Sequence, residues 1–196
     1  MPTLTKLSRS GPGRVALEVD GTPWRTVPDA VVVRAGLAAG LTLDRPTLRR
    51  IRTELRRAQA RAVTGRALAR RDLTEHELET RLERAGLAPG EIEETKAVAV
   101  SAGVVDDERF ARTRADQLSG RGYGNAYVLA KLRVAGVADE LAREVVEELP
   151  SEAGRAEAVA ARRSGDPRKT AAYLARRGFA YDAIEEALAA VANFEP

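Results

Sequence analysis

Between Arg14 and Val27 the chain alternates: Val15, Leu17 and Val19 fall on one side, Ala16, Glu18 and Asp20 on the other. A period of two, with Asp20-Gly21 as a tight-turn signal before Trp24-Arg25-Thr26-Val27, predicts a small β-hairpin. Pro28 to Leu37 is ambiguous, because three consecutive valines at 31–33 suit a strand while Pro28 and Gly36 frame a short helix; the helix is preferred. From Asp44 onward the period becomes helical. Asp44 can cap, Pro46 is tolerated in a first turn, and Leu48, Ile51, Leu55, Ala58 and Ala62 predict one apolar face.

Beyond that helix a spacing recurs. Leu78, Leu82 and Gly86 match Val128, Leu132 and Gly136, and again Thr170, Leu174 and Gly178. The i, i+4 pair makes a buried helix face and the glycine predicts a left-handed helix end. The starts agree as well: Thr74-Glu75-His76-Glu77 reads as a capping box, Asn125 as a cap, and Asp166-Pro167 as a cap followed by a first-turn proline. Each unit is preceded by a helix and continues into another, at 90–101, 139–149 and 181–191. The expected fold is mainly α, with tandem three-helix modules in an elongated curved array and a small N-terminal β-hairpin region. The expected divisions are 1–44 for the hairpin with its short helix, 45–105 for the basic helix and first module, 106–150 for the second module and 151–196 for the third. Modules of about 40 residues are close to the lower limit for a self-sufficient core, so packing on neighbours is expected.

Composition agrees with helix: 44% of the 196 residues are hydrophobic, only 4% aromatic, and 31% charged. No cysteine is present, which excludes disulfides, thiolate metal sites and a cysteine nucleophile. No apolar run approaches membrane-spanning length and the first residues lack the apolar core of a signal peptide, so a cytoplasmic protein without membrane association is expected. The net charge of +3 conceals an asymmetry. Residues 1–72 hold 15 Lys and Arg against 6 Asp and Glu, residues 73–150 hold 10 against 16, and residues 151–196 hold 7 of each.

The stretch Val104-Val105-Asp106-Asp107-Glu108-Arg109-Phe110-Ala111 places three acids in a row. Asp106 falls where a helix must begin, Asp107 and Glu108 fall in its first turn, and Val105 and Phe110 suit a hydrophobic staple; a capping role is expected, with no metal. His76, the only histidine, stands without a nucleophile or metal partner and is expected on the surface. Gly120-Arg121-Gly122-Tyr123-Gly124 has the look of a phosphate loop but follows no predicted strand, so an interhelical turn is expected. Neither catalytic residues nor cofactors are expected.

Charge supplies the candidate binding residues. Arg49, Arg50, Arg52, Arg56, Arg57, Arg66, Arg70 and Arg71 crowd one segment whose only acid before Asp72 is Glu54. Arg121 and Lys131 belong to the second module, and Arg162, Arg163, Arg168, Lys169, Arg176 and Arg177 to the third. Such clusters point to nucleic acid or an acidic protein groove, and the expected array would align them in one discontinuous strip.

Three segments in order, "LARRDLTEHELETRLERAG" (68–86), "AGVVDDERFA" (102–111) and "LSGRGYGNAYVLAKLRVAG" (118–136), followed by "DPRKTAAYLARRGFAYDAIEEAL", resemble the RecX family of regulatory proteins. The resemblance covers about residues 58–191. It implies a non-enzymatic negative regulator of RecA recombinase that binds the RecA filament on single-stranded DNA and limits ATP hydrolysis, strand exchange and coprotease activity. The implied partners are RecA and, weakly, single-stranded DNA; the odd number of modules makes a monomer the expected state, with a dimer through residues 31–33 the alternative. An alternative from the residues is a transcriptional regulator using the basic N-terminal helices, although the chain has only two Asn and two Gln with which to read bases.

Overall fold

The computed structural model describes residues 1–163 and 166–192. The hairpin is present as β2 (Arg14–Val19) and β3 (Thr22–Pro28), joined at Asp20 and Gly21, both with positive φ (49° and 78°). Two left-handed residues are what a two-residue turn needs to follow the strand twist. A strand that the pattern does not reveal, β1 (Leu4–Arg9), pairs antiparallel with β2 and completes a three-stranded sheet in the order β1-β2-β3. Leu4 and Leu7 lie three apart, a helical spacing. A register shift between Leu4 and Lys6 inserts one residue, and both leucines then join the same apolar cluster.

The ambiguous valine run is α1 (Asp29–Ala35), ended by Gly36 at φ 63°. Of its three valines Val31 is buried and Val33 points to solvent. The long helix α2 (Arg45–Leu68) follows, with the Asp44 carboxylate accepting from the Thr47 N–H at 2.8 Å. Leu4, Leu17, Val27, Val31, Ala35, Leu37, Leu43 and Ile51 form the core between sheet and helices. Next come α3 (Glu75–Arg84) and α4 (Pro89–Ser101), where Lys96 bonds Glu79 at 3.1 Å.

Six more helices complete the described chain: α5 (Asp107–Gly120), α6 (Asn125–Val134), α7 (Asp139–Glu147), α8 (Glu152–Ala160), α9 (Pro167–Arg176) and α10 (Tyr181–Ala192). Ala111, Ala115, Leu118, Val128, Leu132, Ala142 and Val145 close one core among α5 to α7. Ala156, Ala160, Leu174, Phe179, Ile184 and Ala187 close another among α8 to α10. The fold is mainly helical, ten helices among the described residues with one small sheet. Two compact units divide the chain, Met1–Arg71 with Leu78–Ala102, and Asp72–Glu77 with Gly103–Pro196.

The recurring spacing has the expected form. Leu78, Leu82, Val128, Leu132 and Leu174 are wholly buried, Thr170 nearly so, and Gly86, Gly136 and Gly178 are left-handed at φ 76°, 84° and 81°. In the second unit these corners also receive the start of an earlier helix. Thr74 Oγ1 donates to the Ala135 carbonyl at 2.6 Å, and a Cβ on Gly136 would meet the His76 side chain at 2.4 Å. Correspondingly, Gly124 N–H donates to the Arg177 carbonyl and Ala126 N–H to that of Gly178, where a Cβ would come 2.6 Å from the Tyr127 nitrogen. One docking device is used twice: a helix N-terminus, with its unpaired N–H groups, sits on a glycine corner with its unpaired carbonyls.

Candidate functional site

The acidic run is built into the helix ends. Asp106 Oδ1 accepts from the Arg109 N–H at 2.9 Å, capping α5 as its position predicts. Asp107 does something the sequence does not announce: its Oδ1 accepts from the Glu75 N–H at 2.9 Å and so caps α3 across the second unit. Burial pushes the Asp107 carboxyl above its ordinary value, partly offset by that hydrogen bond. Glu108 pairs with Arg112, which also bonds Glu148. Among the described residues no cluster of three acids or histidines is placed to hold a metal ion. His76 is exposed and lies on the Gly136 corner. The glycine-rich stretch ends α5 at Gly120 and forms the turn to α6 over 121–124.

Basic residues gather at three places. In the first unit a groove of about 760 Å³ runs between β3 and α2, lined by Trp24, Arg25, Arg45, Arg49, Arg52 and Arg56. Its floor carries Leu48, Leu55, Ala58 and Ala62. The sequence pattern expects these in the core together with Ile51. Ile51 is buried and Leu55 and Ala58 pack half-buried against the same core, but α2 also turns Thr47, Glu54, Ala60 and Ala67 inward, leaving Ala62 exposed and Leu48 41% exposed. Trp24, 38% exposed, stands at the edge with the Arg25 guanidinium 5.5 Å from its ring centre.

The arginines of α2 are not equivalent. Arg45, Arg49 and Arg52 are exposed and, among the described residues, make no hydrogen bond or ion pair. Arg50 is exposed near Asp44, whose carboxyl is held below its ordinary value first by the Thr47 hydrogen bonds and then by this charge. Arg56 donates to the Gly86 carbonyl at 2.8 Å and lies 3.9 Å from Glu91. Arg57 bonds Glu54 at 2.9 Å and Glu94 at 2.8 Å, which pushes its guanidinium above the ordinary value. These two therefore tie α2 to its neighbours within the unit. A second depression of about 600 Å³ in the same unit is lined by Arg66, Arg70, Arg71, Arg81 and Arg84.

The second unit brings together residues far apart in sequence. Arg121, Arg155, Arg162, Arg163 and Arg177 line a pocket of about 570 Å³ with Tyr173. Arg163 lies 3.8 Å from the Tyr173 ring centre, and Arg177 lies 4.9 Å from that ring and 4.6 Å from Tyr123. Arg177 also donates to the Arg121 and Gly122 carbonyls at 2.6 and 3.1 Å. Arg155 bonds the Tyr123 carbonyl at 2.8 Å, the Pro150 carbonyl at 3.0 Å and Asn125 Oδ1, and burial lowers its affinity for the proton. Arg168, Lys169, Arg176 and Lys131 are exposed outside this pocket, Lys131 over Tyr127 at 5.2 Å.

Charge counting finds Arg121, Arg162, Arg163 and Arg177 but misses Arg155, Tyr123 and Tyr173. Tyr173 and Arg177 stand four apart on one helix, a spacing that could have signalled the stack. Trp24 and Arg25 are also missed, since their alternation signals only a strand.

Comparison with known proteins bears on all of this. Residues 106–146 match the family model described as RecX, second three-helix domain. A regulatory protein RecX of Chromohalobacter salexigens is 38% identical over 132 residues, covering 63% of this chain and 87% of that one. Another, of Deinococcus radiodurans, is 34% identical over 161 residues, covering 78% and 77%. A crystal structure of regulatory protein RecX superposes with a TM-score of 0.72 at 20% identity, covering 94% of this chain and 98% of the other. That of RecX from Lactobacillus salivarius gives 0.63 at 18%, covering 71% and 98%; these two establish likeness of fold.

Proposed function

The chain belongs to the RecX family of regulatory proteins, and on that premise we propose that it binds the filament RecA recombinase forms on single-stranded DNA and restrains it. The restraint would fall on ATP hydrolysis, strand exchange and coprotease activity together, since all three require the assembled filament. The observation that supports this reading is a supply of guanidinium groups without carboxylate partners. Arg45, Arg49 and Arg52 in the groove, and Arg121, Arg162 and Arg163 in the pocket, form no ion pair among the described residues. A nucleoprotein filament is a dense polyanion, and releasing its counterions favours a chain that offers cations at several places. The acids that the sequence made candidates for chemistry, Asp106, Asp107 and Glu108, are by contrast occupied with helix ends and an ion pair, which favours a binding protein over an enzyme.

A titration of RecA with single-stranded DNA and ATP tests the reading. ATP hydrolysis falls with well under one chain per RecA protomer, and filaments seen by electron microscopy shorten. Undiminished hydrolysis at equimolar chain, with tight sequence-selective binding to duplex DNA, would mean a transcriptional regulator instead.

A further inference from the structure

The groove between β3 and α2 combines features that charge alone does not explain. Arg45, Arg49, Arg52 and Arg56 recur at steps of three and four residues along one side of α2. Four helical residues rise by about 6 Å, close to the step between phosphates of an extended strand. Between this row and β3 lie exposed apolar surfaces, Leu48 and the Trp24 indole, in a helix and sheet that otherwise bury their apolar groups. Among the described residues no carboxylate lines the groove. Its volume of about 760 Å³ falls in the range that holds ligands of nucleotide size, roughly 300–1,000 Å³.

We propose that this groove is a binding site for single-stranded nucleic acid, in which a base stacks on Trp24 over the Leu48 and Leu55 floor and Arg45, Arg49 and Arg52 hold the phosphates. Single strands are bound elsewhere by this pairing of aromatic platforms with a cationic track. A duplex has no free base face to offer the indole. An acidic peptide would satisfy the arginines but supplies no flat group for the ring and the leucine floor. The pocket of the second unit differs in degree: Arg163 and Arg177 lie 3.8–4.9 Å from the Tyr173 and Tyr123 ring centres and Arg177 is tied to two carbonyls, whereas Arg25 lies 5.5 Å from the Trp24 ring centre. The inference deepens the proposed reading, from which it takes DNA as a partner, and it places that contact on the N-terminal sheet.

Trp24 is the only tryptophan in the chain, so its emission reports on the groove directly. The intact chain is titrated with an oligothymidylate of about 20 nucleotides, a length covering one or more single-strand footprints, and separately with polyglutamate. Saturable quenching by the oligothymidylate and none by polyglutamate is expected. In anisotropy with labelled oligonucleotide, Trp24→Ala weakens binding by roughly tenfold. Arg49→Glu with Arg52→Glu lowers the slope of log affinity against log salt by about 1.4, or about 0.7 for each phosphate lost. Thermal unfolding confirms that each variant is folded.

Oligonucleotide binding that leaves Trp24 emission and the Trp24→Ala affinity unchanged would overturn the inference, as would equal quenching by polyglutamate, which would make the groove a peptide site. Inhibition of RecA by the intact chain is read in parallel. If it persists while quenching is absent, the groove assignment alone fails; if it is absent while quenching occurs, the filament reading fails and the groove stands.

Discussion

The groove on α2 and the pocket among α5, α8 and α9 are both rich in arginine, yet they use it in opposite ways. In the pocket Arg155 and Arg177 are construction: they satisfy the carbonyls of Tyr123, Pro150, Arg121 and Gly122 and pack on aromatic rings. In the groove Arg45, Arg49 and Arg52 hold nothing among the described residues, and Leu48 and Trp24 beside them are left exposed. The number of arginines in a segment therefore says little about how many a partner can use. Availability follows from which backbone carbonyls and carboxylates the fold brings within reach.

The largest effect should separate closed apolar faces from the open one. Leu132→Ala, wholly buried in α6, is expected to cost about 2–5 kcal/mol in denaturant unfolding, by lost transfer energy and the cavity left behind. Leu48→Ala should cost under about 1 kcal/mol, as befits an exposed position. Equal losses would mean that the α2 floor is core after all.

Glycine corners offer the next contrast. Gly86→Ala meets open space, so only the left-handed conformation is penalised, by about 1–2 kcal/mol. Gly178→Ala adds a collision with Tyr127 and should lower the melting temperature clearly further; a smaller shift than that of Gly86→Ala would undo the docking described for the second unit.

Arginine itself gives a third, smaller difference. Arg155→Ala strands the Tyr123 carbonyl and is expected to cost about 1–2 kcal/mol, whereas Arg52→Ala should stay within about 0.5 kcal/mol of the parent. Indistinguishable unfolding curves would remove the distinction between construction and free charge.

The smallest effect is one of pH. Burial raises the folded-state value of Asp107 above that of the unfolded chain, so its contribution is fully present below the unfolded value and is lost as pH rises through the folded one. Asp107→Asn keeps an oxygen acceptor for the Glu75 N–H. It should flatten that decline across the acid range and leave stability at neutral pH equal or slightly higher. A melting temperature that falls more steeply with rising pH in the variant would contradict this.

Local chemistry was readable in advance. The glycines at 86, 136 and 178, the Asp106 and Asp44 caps and the Asp20-Gly21 turn are determined by neighbours a few residues away, and each is found as expected. β1 escaped notice because an inserted residue disguises its period, and Asp107 because its partner lies 32 residues back. The face that α2 buries is set by where the sheet lies, so helical periodicity chose Leu48 where the fold chose Thr47 and Glu54. Of the site, the arginine-rich segments were visible. The separation of tied Arg56 and Arg57 from free Arg49 and Arg52 was not, because it depends on Gly86, Glu91 and Glu94 in other helices.

The most direct measurement is the affinity of Arg49→Glu with Arg52→Glu for RecA filaments on single-stranded DNA, beside that of the parent chain and with unfolding curves for both. The account predicts unchanged stability and filament binding weaker by roughly tenfold or more, as expected when two cations facing a polyanion are reversed. Unchanged affinity in a fully folded variant would contradict it.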